Sequence, residues 1–173
     1  MKKVGIFFGP AGGSTEKIAK LIQREFGIEN ADLNLIKDAK AADLNRYDNI
    51  IFGCSTVGGE TWDSDKSQSD WDLFRPELDK ISYKGRVFAI FGLGNHVSYA
   101  RHFVNAMGSI AKNILSKNAI IVGQCSTDGY DFIESEAVID GKFIGLPIDE
   151  EFEPEKSLER IQKWVSDIKK EFL

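Results

Sequence analysis

At 173 residues, with 42% hydrophobic and 28% charged side chains, the chain has the balance of a globular protein large enough to bury a sizeable core. A formal net charge of −5 argues against nucleic acid as a partner. No apolar run is long enough for a membrane span, and Met1-Lys2-Lys3 leads straight into an apolar stretch, so the expectation is a single cytoplasmic domain with no membrane partner.

In chain order, apolar runs at 4–8, 31–36, 49–54, 86–91 and 119–125 alternate with helical patterns. That alternation predicts an α/β fold, a three-layer, doubly wound, five-stranded parallel sheet with helices on both faces. Four of the runs are nearly continuous in Val, Ile, Phe and Ala. The run at 31–36 alternates apolar with polar, which suits an edge strand and the order 2-1-3-4-5. The first helix carries Ile18, Leu21, Ile22 and Phe26 on one stripe and stops at Gly27. Asp43 to Tyr47 reads as a turn or one helical turn. Trp71, Leu73, Phe74 and Leu78 form a helix with Pro76 inside it, which should start late or bend. Tyr99, Phe103, Met107, Ile110, Ile114 and Leu115 predict a long helix ending near Asn118. Pro154 opens the last helix, with Leu158, Ile161, Trp164, Val165, Ile168 and Phe172 as its stripe. Residues 126–148 are too long for an ordinary connection. Val138-Ile139, Asp140-Gly141 and Lys142-Phe143 within them read as a two-residue hairpin, so the fifth strand is expected to be interrupted by an excursion and resumed over 143–148. Cys54 and Cys125, each near a strand end, read as buried reduced thiols, with a disulfide between them still open.

In such a sheet ligands bind at the carboxyl ends of the strands, and three loops meet there. The first, Gly9-Pro10-Ala11-Gly12-Gly13-Ser14-Thr15, joins a strand to a helix N-terminus. The unpaired N–H groups and dipole of that terminus form an anion socket. A tight turn with no ligand is the plainer reading of the same residues. No Lys precedes Ser14, and Gly9, Gly12 and Gly13 lack dinucleotide spacing, so neither phosphate-loop signature applies. The second loop runs Gly53-Cys54-Ser55-Thr56-Val57-Gly58-Gly59-Glu60-Thr61-Trp62, and the third Phe91-Gly92-Leu93-Gly94-Asn95-His96-Val97-Ser98-Tyr99. Together they suit a flat aromatic ligand carrying a phosphate. A receiver domain would need acids after the first strand, an Asp closing the third and a Lys closing the fifth; Gly9-Pro10, Gly53-Cys54 and Gln124-Cys125 stand there instead. His96 and His102 have poor metal-ligand spacing and read as ring-edge or solvent-facing, and no side chain reads as a nucleophile, acid or base. Seven acids against two bases over 60–79, and Asp149, Glu150, Glu151, Glu153 and Glu155, form either a solvated face or a docking surface for a basic partner.

From end to end the chain resembles a long-chain flavodoxin, most specifically in FGLGNHVSYARHFVNAMG, in STDGYDFIESEAVIDGKFIGLPIDEE and in LERIQKWV. The resemblance implies an FMN-dependent, low-potential one-electron carrier that substitutes for ferredoxin, an electron-transfer protein and not an enzyme. It implies a monomer whose acidic rim docks basic redox proteins, namely a flavodoxin/ferredoxin reductase and downstream acceptors. Pro10, Ala11, Gly12, Gly13, Ser14 and Thr15 would form the phosphate loop. Thr56, Val57, Gly58 and Gly59 would lie against the dimethylbenzene side, with Ser55 before them also counted in the cofactor site, and Gly92, Leu93, Gly94 and Asn95 around the pyrimidine end. Tyr99 would stack on the outer face, His102 lie near the pyrimidine edge, and Asp149 reach the ribityl chain. Gly58-Gly59 suits a peptide that turns to hydrogen-bond a newly protonated ring nitrogen. Departures from the family pattern carry expectations too. Pro10, Ala11 and Gly12 remove two hydroxyl donors, so FMN should bind more weakly than is usual. Either Val57 or Trp62 covers the inner face. Asn95 stands where an Asp is common, so Asn95→Asp should lower the second reduction potential. Two other readings stay open: an FMN-dependent NAD(P)H quinone or flavin reductase, and a non-redox module that has lost FMN.

Overall fold

A computed structural model of the chain describes residues 1–56 and 68–173. Strand β1 (Val4–Phe8) is buried at every position, as expected of a strand covered on both faces. It lies between β2 (Ala31–Leu35) and β3 (Asn49–Ser55), with Val4 opposite Ala31 on one side and Asn49 on the other. β3 pairs in parallel with β4 (Val87–Leu93) over its whole length. β2 is only partly buried beyond Ala31 and forms the sheet edge, in agreement with its alternating sequence.

The fifth position of the sheet is filled by two short segments. Strand β5 (Ile120–Ile121) pairs with Val87 and Phe88. Strand β9 (Leu146–Ile148) pairs with Phe91 to Leu93. The order is therefore β2-β1-β3-β4 followed by this divided strand, the expected 2-1-3-4-5 with its interruption. The run at 119–125 is shorter as a strand than its sequence suggests, because the chain turns away at Gly123, whose carbonyl accepts from Trp164 Nε1 at 2.8 Å. Beyond it, β6 (Cys125–Ser126), β7 (Val138–Ile139) and β8 (Lys142–Phe143) form a small antiparallel sheet. The β7–β8 turn is Asp140-Gly141, both at positive φ, the geometry that a two-residue hairpin demands.

Helix α1 (Ser14–Phe26) and helix α5 (Ser157–Ile168) cover one face, burying Ile18, Ile22, Ile161, Trp164 and Ile168 against Ile6, Ile51, Ala89 and Phe91. Leu158, expected in the α5 stripe, is exposed instead, in the first turn of α5 just after a 3-10 turn at Pro154–Lys156. The short α2 (Ala41–Leu44), α3 (Asp70–Leu78) and α4 (Asn105–Leu115) serve the other face, over Phe7, Ile50, Phe52, Phe88 and Ile90. α3 starts at a capping box in which Ser69 Oγ accepts from Asp72 N at 3.1 Å, and it retains Pro76. The long helix expected from Tyr99 begins only at Asn105. Residues 99–104 are turns, and Val104 stands at φ +48°, so helical backbone cannot run through it.

The excursion packs onto α4. At Gly108 an added Cβ would sit 2.4 Å from the carbonyl of Glu136, so helix and excursion backbone touch there. Phe103, Tyr130, Phe132 and Phe143 form an aromatic cluster beneath it. Cys54 is buried and Cys125 half-buried, both as free thiols.

Candidate cofactor site

The loops at the carboxyl ends of β1, β3, β4 and β9 are joined by backbone hydrogen bonds. Gly9 N donates to Gly53 O (3.1 Å), Thr56 N to Leu93 O (3.0 Å) and Gly94 N to Ile148 O (3.0 Å). The sheet thus fixes the three loops singled out by sequence along one rim.

In the first loop Pro10, Ala11, Gly12, Gly13 and Ser14 are exposed, while Thr15 is buried. Gly9-Pro10 is a cis peptide. Gly12 adopts φ +81°, a region that favours glycine. Gly13 is the N-cap of α1 and has no side chain with which to cap it. A Cβ on Gly12 or Gly13 would meet nothing within 4 Å, so the backbone is open to an approaching group. Glu16, which sequence reasoning passed over, reaches back so that its Oε2 accepts from Gly12 N at 2.7 Å, while Oε1 pairs with Lys20. Lys20 first, then the Gly12 N–H, hold this carboxyl below the usual carboxylate range. Lys17 pairs with Glu150 at 2.6 Å, tying the loop's helix to the chain after β9.

In the second loop Ser55 and Thr56 are half-buried. Thr56 Oγ1 accepts from Ala106 N at 3.1 Å, which supplies the cap that Val104 cannot give α4. Val57, Gly58, Gly59 and Trp62 lie outside the described residues. Trp71 anchors the far side, donating from Nε1 to Gly53 O at 2.9 Å.

In the third loop Gly92, Leu93, Gly94 and Asn95 are buried and Tyr99 is 45% exposed. The Asn95 amide oxygen accepts from Val97 N (3.1 Å) and Ser98 N (2.7 Å), and its Nδ2 donates to Glu151 (2.9 Å). The residue therefore shapes its own turn and ties it to the segment after β9. His102 is exposed, with Nδ1 3.3 Å from Asn105 Nδ2.

Asp149, which the resemblance sends to the ribityl chain, has no exposed surface here, and its carboxylate accepts from His96 N, Glu151 N and Phe152 N at 2.8–3.0 Å. Three amides on one acceptor draw it inward, where it holds two loops together. His96 is neither at a ring edge nor facing solvent. It is 2% exposed, packed against Phe103, Tyr130 and Phe152. A polar residue in a Gly-rich loop reads as exposed; its burial depends on the excursion, more than thirty residues downstream.

A sequence model of the flavodoxin family matches residues 6–164. A flavodoxin of Synechococcus elongatus is 43% identical over 173 residues, covering 99% of each chain. Flavodoxin 1 of Escherichia coli is 41% identical over 172 residues, covering 99% of this chain and 95% of its own. Among solved structures, Fusobacterium nucleatum flavodoxin bound to flavin mononucleotide superposes with a TM-score of 0.88 at 29% identity, over the full length of both chains. Matched from its first strand into its last helix, and at such identity over nearly its whole length, the chain belongs to the flavodoxin family.

Proposed function

We propose that this chain binds FMN at the rim and works as a one-electron carrier between redox proteins. The observation that carries the reading is the first loop. The N-cap of α1, Gly13, has no side chain to cap the helix, nothing crowds Gly12 and Gly13 although Glu16 holds the Gly12 N–H, and the exposed ring of Tyr99 belongs to the same rim. Those features fit a phosphorylated flat ring: amides for the phosphate and an aromatic face for the ring. Flavin mononucleotide bound to a full-length relative supports the same ligand. When bound, FMN supplies reversible one-electron chemistry.

The chain's own residues would bind, orient and insulate. The amides of Pro10-loop residues 11–15, with the Ser14 and Thr15 hydroxyls, would hold the phosphate. Gly92, Leu93, Gly94 and Asn95 would present backbone groups to the pyrimidine end, Tyr99 would cover the outer face, and His102 would lie near the edge. Ser55 and Thr56 lead into the stretch assigned to the opposite side, where Val57, Gly58, Gly59 and Trp62 keep the roles the family resemblance implies. With Pro10, Ala11 and Gly12 in place of hydroxyl donors, affinity should fall below the family's usual value.

Acids near the rim, Asp70, Asp72 and Glu151 among them, would steer a basic reductase or acceptor. We place the working protein in the cytoplasm as a monomeric single domain, a setting that suits two free thiols. Titrating the purified protein with FMN and with riboflavin tests the socket: FMN should bind more tightly. Equal affinities would remove the phosphate site, and rapid NAD(P)H oxidation by the FMN-loaded protein alone would make it a reductase.

A further inference from the structure

His96 joins four parts of the molecule. Its backbone N donates to Asp149 Oδ2 at 3.0 Å. Its ring Nδ1 lies 2.7 Å from the backbone N of Asp131, in the excursion. Its Nε2 is buried with no hydrogen-bond partner among the described residues, 3.6 Å from Asp149 Oδ2 and 3.7 Å from Glu153 Oε1. Glu153 is in turn held by Lys156 and Arg160, and Arg160 lies 4.2 Å over the ring of Tyr130.

A backbone N–H can only donate, so a 2.7 Å contact requires Nδ1 to be the acceptor. The imidazole is then neutral and carries its proton on Nε2, directed towards two carboxylates at a distance too long for a hydrogen bond. As a cation the ring would be drawn to Asp149 and Glu153, but it would set one N–H against another at Asp131. Only the neutral form, in one tautomer, keeps all its neighbours.

We propose that His96 is a positioning residue: as a neutral acceptor it latches the third loop, which would surround the flavin's pyrimidine end, to the excursion through Asp131. The positioning half rests on the FMN reading above; the latch itself does not. The neighbouring bonds from Ile133 N and Glu134 N to Ala100 O, at 2.7 and 3.0 Å, continue the same seam between loop and excursion. Removing the acceptor leaves the Asp131 N–H without this partner and frees the seam at its base.

The test uses the 15N-labelled chain without FMN, then loaded with it. Long-range proton–nitrogen spectra near neutral pH should show a neutral ring with a bare Nδ1; an imidazolium, or a proton on Nδ1, overturns the proposal. His96→Leu should speed hydrogen exchange at the Asp131 amide by about tenfold, and His96→Asn, whose amide oxygen falls near the place of Nδ1, should restore it to within about twofold. Equal exchange in both variants would reduce His96 to a space-filler. With FMN, His96→Leu should weaken binding by about threefold or more and His96→Asn should recover it. Unchanged FMN affinity alongside faster Asp131 exchange would mean a latch that positions nothing. A chain that takes no FMN in any variant fails the cofactor reading and the positioning role with it, while the spectra and exchange rates still decide the latch.

Discussion

Asn95 donates from its side-chain amide to the carboxylate of Glu151 at 2.9 Å, linking the third loop to the segment after β9. An Asp at this position would keep the two backbone N–H bonds to its oxygen but set two carboxylates against each other. Asn95→Asp should cost about 1–2 kcal/mol of stability at low salt. Adding Glu151→Gln should recover most of it, and a double-mutant cycle on urea midpoints measures the coupling. With FMN bound, the new negative charge should also move the second reduction potential downward, and potentiometry reads that shift separately.

Glu16 occupies one amide of the first loop with a carboxylate. A phosphate seated on the same loop would be repelled by that charge. Glu16→Gln should therefore tighten FMN by about three- to tenfold while leaving riboflavin nearly unchanged. Calorimetry with the two ligands, repeated at high salt to damp the difference, checks the sign.

Gly108 lies within α4, where alanine ordinarily gains about 1 kcal/mol from helix propensity. Here the added methyl would fall 2.4 Å from backbone atoms of Glu136, which cannot swing aside as a side-chain tip can. Overpacking costs about 1–3 kcal/mol and should outweigh the propensity gain, so Gly108→Ala lowers the unfolding midpoint.

The Glu153 carboxyl is pushed up by burial, but hydrogen bonds from Lys156 and Arg160 and the nearby charges outweigh that and hold it below its ordinary value of 4.5. A depressed carboxyl contributes stability that is present above the ordinary value and is lost as pH falls through the folded one. Glu153→Gln should thus lose about 1–3 kcal/mol near neutral pH, with the gap to the parent closing in acid. Melting curves across the acid range follow it.

Much of this architecture is legible in the chain because its signals are local. β1, β3 and β4 are continuous apolar runs, the alternation of β2 marks an edge, and Asp140-Gly141 dictates its own turn. The late start of α4 is not legible, because the apolar stripe from Tyr99 continues through Val104 while the backbone does not. Equally hidden are the inward roles of Asp149 and His96 and the Glu16 cap on Gly12. Each depends on which amide or ring a folded neighbour offers, and residue type alone does not carry that information.

The divided fifth strand has a consequence for the order of assembly. β5 and β9 together complete one margin of the sheet, yet about two dozen residues separate them in the chain, whereas the hairpin β7–β8 closes across only two. Joining distant segments costs more chain entropy than a local turn, so the hairpin can form early and the β4–β9 ladder only after the intervening chain has collapsed. The carboxyl end of that margin, where Ile148 receives Gly94, is thus the stretch of the rim that depends on the longest-range strand pairing among the described residues.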